Sequence, residues 1–178
     1  MKKSRVSRRY ALALFQAAQE KNKLVPVEAD FHILKKAYGE APEFRRLIDS
    51  PIISNRVKRE SITAIFKSRL NSLTLSFLEL LVEKNREAEL PDIISEFHRL
   101  LDDSRGVVRG EVVSAIPMQP TQLENLKRKL DARTGKNVVL ETKHDSGLLG
   151  GFVVRLNDQV IDVSLRNQLR KMHQRLTS

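Results

Sequence analysis

The apolar periodicity of this chain changes once, near Gly106, and that change limits the fold more than any other feature. From Met1 to about Arg105 every periodic segment has the three-to-four-residue spacing of a helix, punctuated by Pro26, Pro42, Pro51, Asn71 and Pro91. This half predicts an all-α bundle of about six helices. After Gly106 the run from Val107 to Ile116 is rich in β-branched residues and stops at Pro117, the pattern of a strand. A boundary near Ser104 to Gly110 follows, with a helical domain over residues 1–105 and a small α+β domain over 106–178.

In the second part, Thr121 and Glu124 have capping-box spacing ahead of Leu123, Leu126 and Leu130, and Gly135 stands where a helix should end. Val138 to Lys143 reads as a strand. Phe152–Leu156 and Gln159–Val163 read as a hairpin around Asn157-Asp158, residues that tolerate positive φ. Leu165, Leu169, Met172 and Leu176 then recur at helical spacing among Arg166, Arg170, Lys171 and Arg175. That apolar stripe is either internal core or a partner surface.

With 178 residues, 40% of them hydrophobic, the chain can bury a real core. It has no cysteine, which excludes disulfides, thiol catalysis and Cys-ligated zinc. No run approaches the roughly 18 apolar residues of a membrane span. The net charge of +10 asks for a partner of negative potential, but it is spread evenly: residues 1–105 hold 20 Lys+Arg against 15 Asp+Glu, and residues 106–178 hold 12 against 7. The densest cluster is Lys2, Lys3, Arg5, Arg8 and Arg9. A basic start before Tyr10–Ala18 has some likeness to a signal or presequence, yet its apolar run is short and Gln19–Lys23 stands where cleavage should fall. The expectation is a mature first helix, and a bacterial cytoplasmic location.

Catalytic constellations are missing from the pattern. Gly147 to Gly151 precedes a strand instead of opening a helix, and no Gly-Lys-Ser/Thr follows it, so backbone geometry at a strand entrance is the expected role. His32, His98, His144 and His173 are far apart in sequence, and the reading places none with a second histidine or a carboxylate at metal-ligand spacing within one element. No metal, cofactor or small-molecule substrate is expected, and the chain is not read as an enzyme. The seven Phe and two Tyr fall at helical-core spacings or singly, without the strand platform or groove-reading motif of a nucleic-acid binder. Charge alone supports that alternative.

Two helical segments are apolar on more than one face. The first has Tyr10, Ala13, Leu14 and Ala17 on one side, with Ala11, Leu12, Phe15 and Ala18 widening the surface. The segment from Leu73 to Val82 behaves likewise. On pattern alone the bundle core accounts for both; the other reading is a groove between them that takes an amphipathic helix from a partner.

The stretch from Leu149 to Leu169, with Gly150, Gly151, Asp162 and Ser164, resembles the signature of the ATP synthase delta subunit family, whose mitochondrial member is the oligomycin-sensitivity-conferring protein. Arg9-Tyr10-Ala11, Ser50-Pro51 with Lys58 ahead of Ile65-Phe66, and Leu81 to Arg86 leading into Leu90-Pro91 and Phe97 look like family landmarks in order, so the resemblance spans essentially the whole chain. The chain departs from the family in having Asn157 and Val163 where glycine is frequent, and Val163 suits positive φ poorly.

The resemblance implies a peripheral-stalk (stator) subunit of F-type ATP synthase that links the alpha/beta catalytic head to the b-type stalk subunits and resists rotor torque. It implies a groove for the N-terminal helix of an alpha subunit, carried here by Tyr10, Ala13, Leu14, Ala17, Thr74, Phe77, Leu80 and Leu81. It also implies a b-type stalk contact, for which Leu165, Leu169, Met172 and Leu176 are the candidates. The protein would be peripheral to the membrane through the complex, on the cytoplasmic face of a bacterial inner membrane, with a thylakoid or mitochondrial setting as the alternative.

Overall fold

A computed structural model describes residues 5–156 and 159–176, with the side chains of His173, Arg175 and Leu176 also outside the described set. The chain forms two compact units, Met1–Leu101 and Asp102–Ser178.

Among the described residues the helical part holds six α-helices, α1 (Arg5–Glu20), α2 (Leu24–Glu40), α3 (Pro42–Asp49), α4 (Asn55–Phe66), α5 (Ser72–Glu83) and α6 (Leu90–Ser104), with one 3-10 turn at Glu87–Glu89. The prolines act as the sequence implies. Pro42 is the first residue of α3, and Pro26 and Pro91 lie in the first turns of α2 and α6, where a missing N–H leaves no helical bond unmade. Asn22 and Asn85, at φ 53° and 54°, end α1 and α5 in left-handed geometry.

Aromatic rings centre this bundle. Phe31 meets Phe97 edge-on at 4.8 Å between ring centres, Phe15 meets Phe97 at 6.0 Å, and Phe44 meets Phe66 at 5.3 Å. Val27, Leu34, Ile48, Ile62, Leu81, Leu90 and Ile93 fill the space around them. Two polar ties run through the core. Asp30 accepts from the Asn71 amide at 2.9 Å and from Thr74 Oγ1 at 2.5 Å, anchoring the start of α5 to α2. Lys58 is buried and pairs with Glu87, while its Nζ also donates to the Ile48 carbonyl at 3.4 Å.

The second unit is a four-stranded sheet of order β2-β1-β3-β4, built from β1 (Val107–Ser114), β2 (Asn137–His144), β3 (Phe152–Leu156) and β4 (Gln159–Asp162), with helices α7 (Pro120–Thr134) and α8 (Leu165–Leu176). α7 is the crossover between β1 and β2, which pair in parallel with Val108 opposite Val138. β3 runs antiparallel to both β1 and β4, with Val112 opposite Val154 and Val154 opposite Ile161. Val108, Val112, Leu130, Val138, Val154 and Leu156 form this unit's own core.

The two units divide at Leu101/Asp102, in the last turn of α6, and Asp102 accepts from Arg109 of β1, from Nε at 2.7 Å and Nη2 at 3.1 Å. One detail differs from the sequence reading, the start of α7. α7 begins at Pro120, so its cap is Gln119, whose amide donates to Gln122 Oε1 at 3.0 Å, and not Thr121 with Glu124. Proline's fixed φ favours the first helical position and moves the start earlier. Val163 is absent from the described residues at positive φ, so a β-branched side chain fits there without strain. The expected Asn157-Asp158 turn lies outside the described residues; Leu156 and Gln159 on either side are paired.

Candidate protein-docking sites

The helical signals resolve into a groove. α1 buries Ser7, Ala11, Leu14, Phe15 and Ala18 in the bundle, and α5 buries Thr74, Phe77, Leu78, Leu81 and Val82. Between them the two helices also line an open, mostly apolar groove of about 420 Å³, to whose floor the buried Leu14 and Phe77 contribute. Tyr10, Ala13, Leu14 and Ala17 form one wall, and Leu73, Ser76, Phe77 and Leu80 the other. The alanines keep the α1 wall low. The Tyr10 and Phe77 rings meet edge-on at 6.5 Å, and Leu80 is 40% exposed at the rim. The Arg9 guanidinium stands 5.9 Å from the Tyr10 ring centre, giving that end of the groove a positive edge.

Of the eight residues expected in this groove, Thr74 and Leu81 do not line it: both are fully buried, Thr74 holding Asp30 and Leu81 packed in the core. Arg9, Leu73 and Ser76 line it and were missed. Their signal was present, since Arg9 lies four residues before Ala13, and Leu73 and Ser76 precede Phe77 and Leu80 by four.

On α8 the apolar stripe faces outward. Leu165, Leu169 and Met172 are 46%, 61% and 60% exposed, while the helix buries Asn167. The Leu176 side chain lies outside the described residues. The signature residues build the junction that presents this helix. Gly151 has φ +78°, and a Cβ there would collide with the Val163 carbonyl; a Cβ on Gly150 would come within 2.5 Å of the Leu165 side chain. Backbone bonds close the junction, Leu165 N to Gly150 O at 3.0 Å and Val163 N to Phe152 O at 3.0 Å. Asp162 Oδ1 accepts from the Ser164 amide at 2.9 Å, and Ser164 Oγ accepts from Asn167 N at 3.3 Å at the start of α8. Bonds from the Ser164 side chain and backbone hold the Asp162 carboxyl below the usual carboxylate range. These four residues act on backbone geometry.

A further groove of about 450 Å³, not anticipated from the sequence, lies between the end of β1 and α7, with Ile116, Met118, Leu126 and Phe152 in its lining. The histidines also need correction. His32 and His98 are neighbours, with ring centres 4.9 Å apart, and Glu28 joins them, its carboxylate one helical turn before His32 on α2. That spacing was visible in the sequence; the approach of α6 was not.

A helical unit with an open apolar groove, followed by a small sheet unit bearing an outward apolar helix, defines a class of protein that works by attachment to other proteins. The family model for the ATP synthase delta (OSCP) subunit matches residues 6–176. The ATP synthase subunit delta of Carboxydothermus hydrogenoformans is 38% identical over 172 residues, covering 97% of both chains, and that of Symbiobacterium thermophilum is 38% identical over 173 residues, covering 97% of this chain and 93% of the relative. A chain in the cryo-EM structure of the Toxoplasma gondii mitochondrial ATP synthase hexamer superposes with a TM-score of 0.72 at 25% identity, over 98% of this chain and 99% of that one. The chain belongs to the ATP synthase delta (OSCP) subunit family, the non-catalytic stator subunits of the F-type ATP synthase peripheral stalk. It is peripheral to the membrane through that complex.

Proposed function

We propose that the α1–α5 groove takes the N-terminal helix of an alpha subunit, and that the exposed stripe of α8 meets the C-terminal ends of b-type stalk subunits. On this reading the helical unit (residues 1–105 in the sequence division) grips the catalytic head and the α+β unit (106–178) grips the stalk. The head then stays still while the central shaft turns inside it, on the cytoplasmic face of a bacterial inner membrane. The observation that carries the proposal is the groove itself: two adjacent helices leave Tyr10, Ala13, Ala17 and Leu80 facing outward along one apolar channel.

The energetics suit firm attachment. Covering about five apolar side chains gains on the order of 7–15 kcal/mol before association and ordering costs remove a large share. Arg9 at the groove edge and Arg5 and Arg8 on the first turn of α1 favour an occupant with acidic residues at the facing end.

The test is calorimetric titration of the full chain with a peptide covering about the first 25 residues of the cognate alpha subunit, beside Ala13→Asp. The expected result is one-to-one binding by the parent and none by the variant, whose substitution falls on an exposed position that folding tolerates. Equal binding by both chains, or by neither, overturns the groove assignment.

A further inference from the structure

We propose that Glu28, His32 and His98 form a binding site for a divalent transition metal of the zinc type, which would staple α2 to α6. Each of the three offers one ligand atom, and these atoms all lie within 4.8 Å of one another. In a tetrahedral zinc site with bonds near 2.0–2.1 Å, ligand atoms stand about 3.3 Å apart, so closing the site asks for shifts of about 1.5 Å or less, within reach of side-chain rotation.

The rings are already disposed for it. Two imidazoles on one tetrahedral zinc place their ring centres about 5 Å apart. His32 and His98 stand at 4.9 Å, with their planes inclined at 43°, which is not a face-to-face stack. Glu28 and His32 are one turn apart on the same helix, the spacing at which two side chains reach a common point on its surface.

The donor set selects the ion. Two imidazoles and one carboxylate, with no thiolate in the chain, suit zinc, nickel or copper(II) and are poor for magnesium or calcium, which want all-oxygen shells. His32 is exposed, so an ion can enter from solvent, and three protein ligands leave a fourth position for water. On the same two helices, Arg99 follows His98 and its Nε donates to Glu96 Oε2 at 3.0 Å, and Lys36 lies one turn after His32 with its Nζ 3.9 Å from Glu40. Each has a carboxylate that offsets its repulsion of an incoming ion.

The site lies outside the α1–α5 groove lining, so its test is independent of the stator contacts. The full, untagged chain is stripped with chelator and titrated with zinc chloride against a chromophoric competitor, alongside His32→Ala, His98→Ala and, as a control, His144→Ala. The expected result is one equivalent bound by the parent and by His144→Ala. Each of the other variants should weaken binding by more than the roughly 10–100-fold that loss of an outer-shell partner costs. Zinc at a hundredfold excess over its Kd should multiply the parent's folding equilibrium constant about 100-fold and leave that of His32→Ala unchanged. Because His32 is exposed, its truncation leaves the fold intact, which circular dichroism checks. Absence of binding by the parent, or equal binding by the parent and His32→Ala, overturns the proposal.

Discussion

Lys58 and Glu87 form an ion pair inside the helical unit, the lysine 2% and the glutamate 8% exposed. The pair joins α4 to the 3-10 turn before α6, and the additional bond from Lys58 to the Ile48 carbonyl ties in the end of α3. The end of α3, the start of α4 and the turn before α6 therefore converge on one ammonium group.

Removing one partner leaves a buried charge without compensation. Lys58→Met is expected to destabilise the protein by about 3–5 kcal/mol, whereas Lys58→Met combined with Glu87→Leu should recover most of that loss. Urea denaturation curves measure both. A single-variant loss under about 1 kcal/mol would show that water reaches the pair.

Gly151 is the second position where one atom matters. At φ +78° with the Val163 carbonyl against it, Gly151→Ala meets both left-handed strain and a clash, so a loss of at least about 1–3 kcal/mol is expected. Gly135 is the comparison: its φ is +66° with open space around it, and Gly135→Ala should cost only the strain. Thermal melts of the two variants should rank Gly151→Ala lower.

The α8 stripe calls for the opposite result. Leu169→Arg, at a position 61% exposed, should leave stability within about 0.5 kcal/mol of the parent. It should nevertheless abolish capture of a b-type stalk fragment if that face is the stalk contact. Unfolding of the variant would mark Leu169 as core instead.

Asp162 gives a pH dependence with a definite sign. Its folded carboxyl is held below its ordinary value of 3.8 by the Ser164 bonds, so it adds stability above that value, and this is lost as pH falls through the folded pKa. Asp162→Asn should therefore narrow its deficit relative to the parent as the medium is acidified from neutral pH. Parallel stability curves for the two proteins down to about pH 3 would remove Asp162 from the acid response.

Much of this was legible in the sequence, because periodicity and turn chemistry are local. Pro42, Asn71, Pro91 and Gly135 mark helix ends through the backbone conformations they permit, and the structure has helix boundaries at or beside each one. Tyr10, Ala13 and Ala17 were recognisable as a second apolar face of α1 for the same reason. Errors arose where a distant element decides. Thr74 and Leu81 have the right spacing for the groove but point into the bundle, one held by Asp30 of α2 and the other packed in the core. Nothing local to Lys58 indicates that it is buried; α3 and the turn at Glu87 close over it.

The sequence by itself determined that helices precede a mixed sheet, where the texture changes, and that a Gly-Gly junction leads into the last hairpin and helix, since each rests on residues within a few positions of one another. Only the tertiary structure decided which face of α1 stays open, that β1 and β2 run parallel, that α8 turns Leu165 and Leu169 outward, and that His98 meets His32 and Glu28. Those outcomes depend on chain closure over long separations, where packing against a neighbour, and no local preference, selects which side chains lose contact with water.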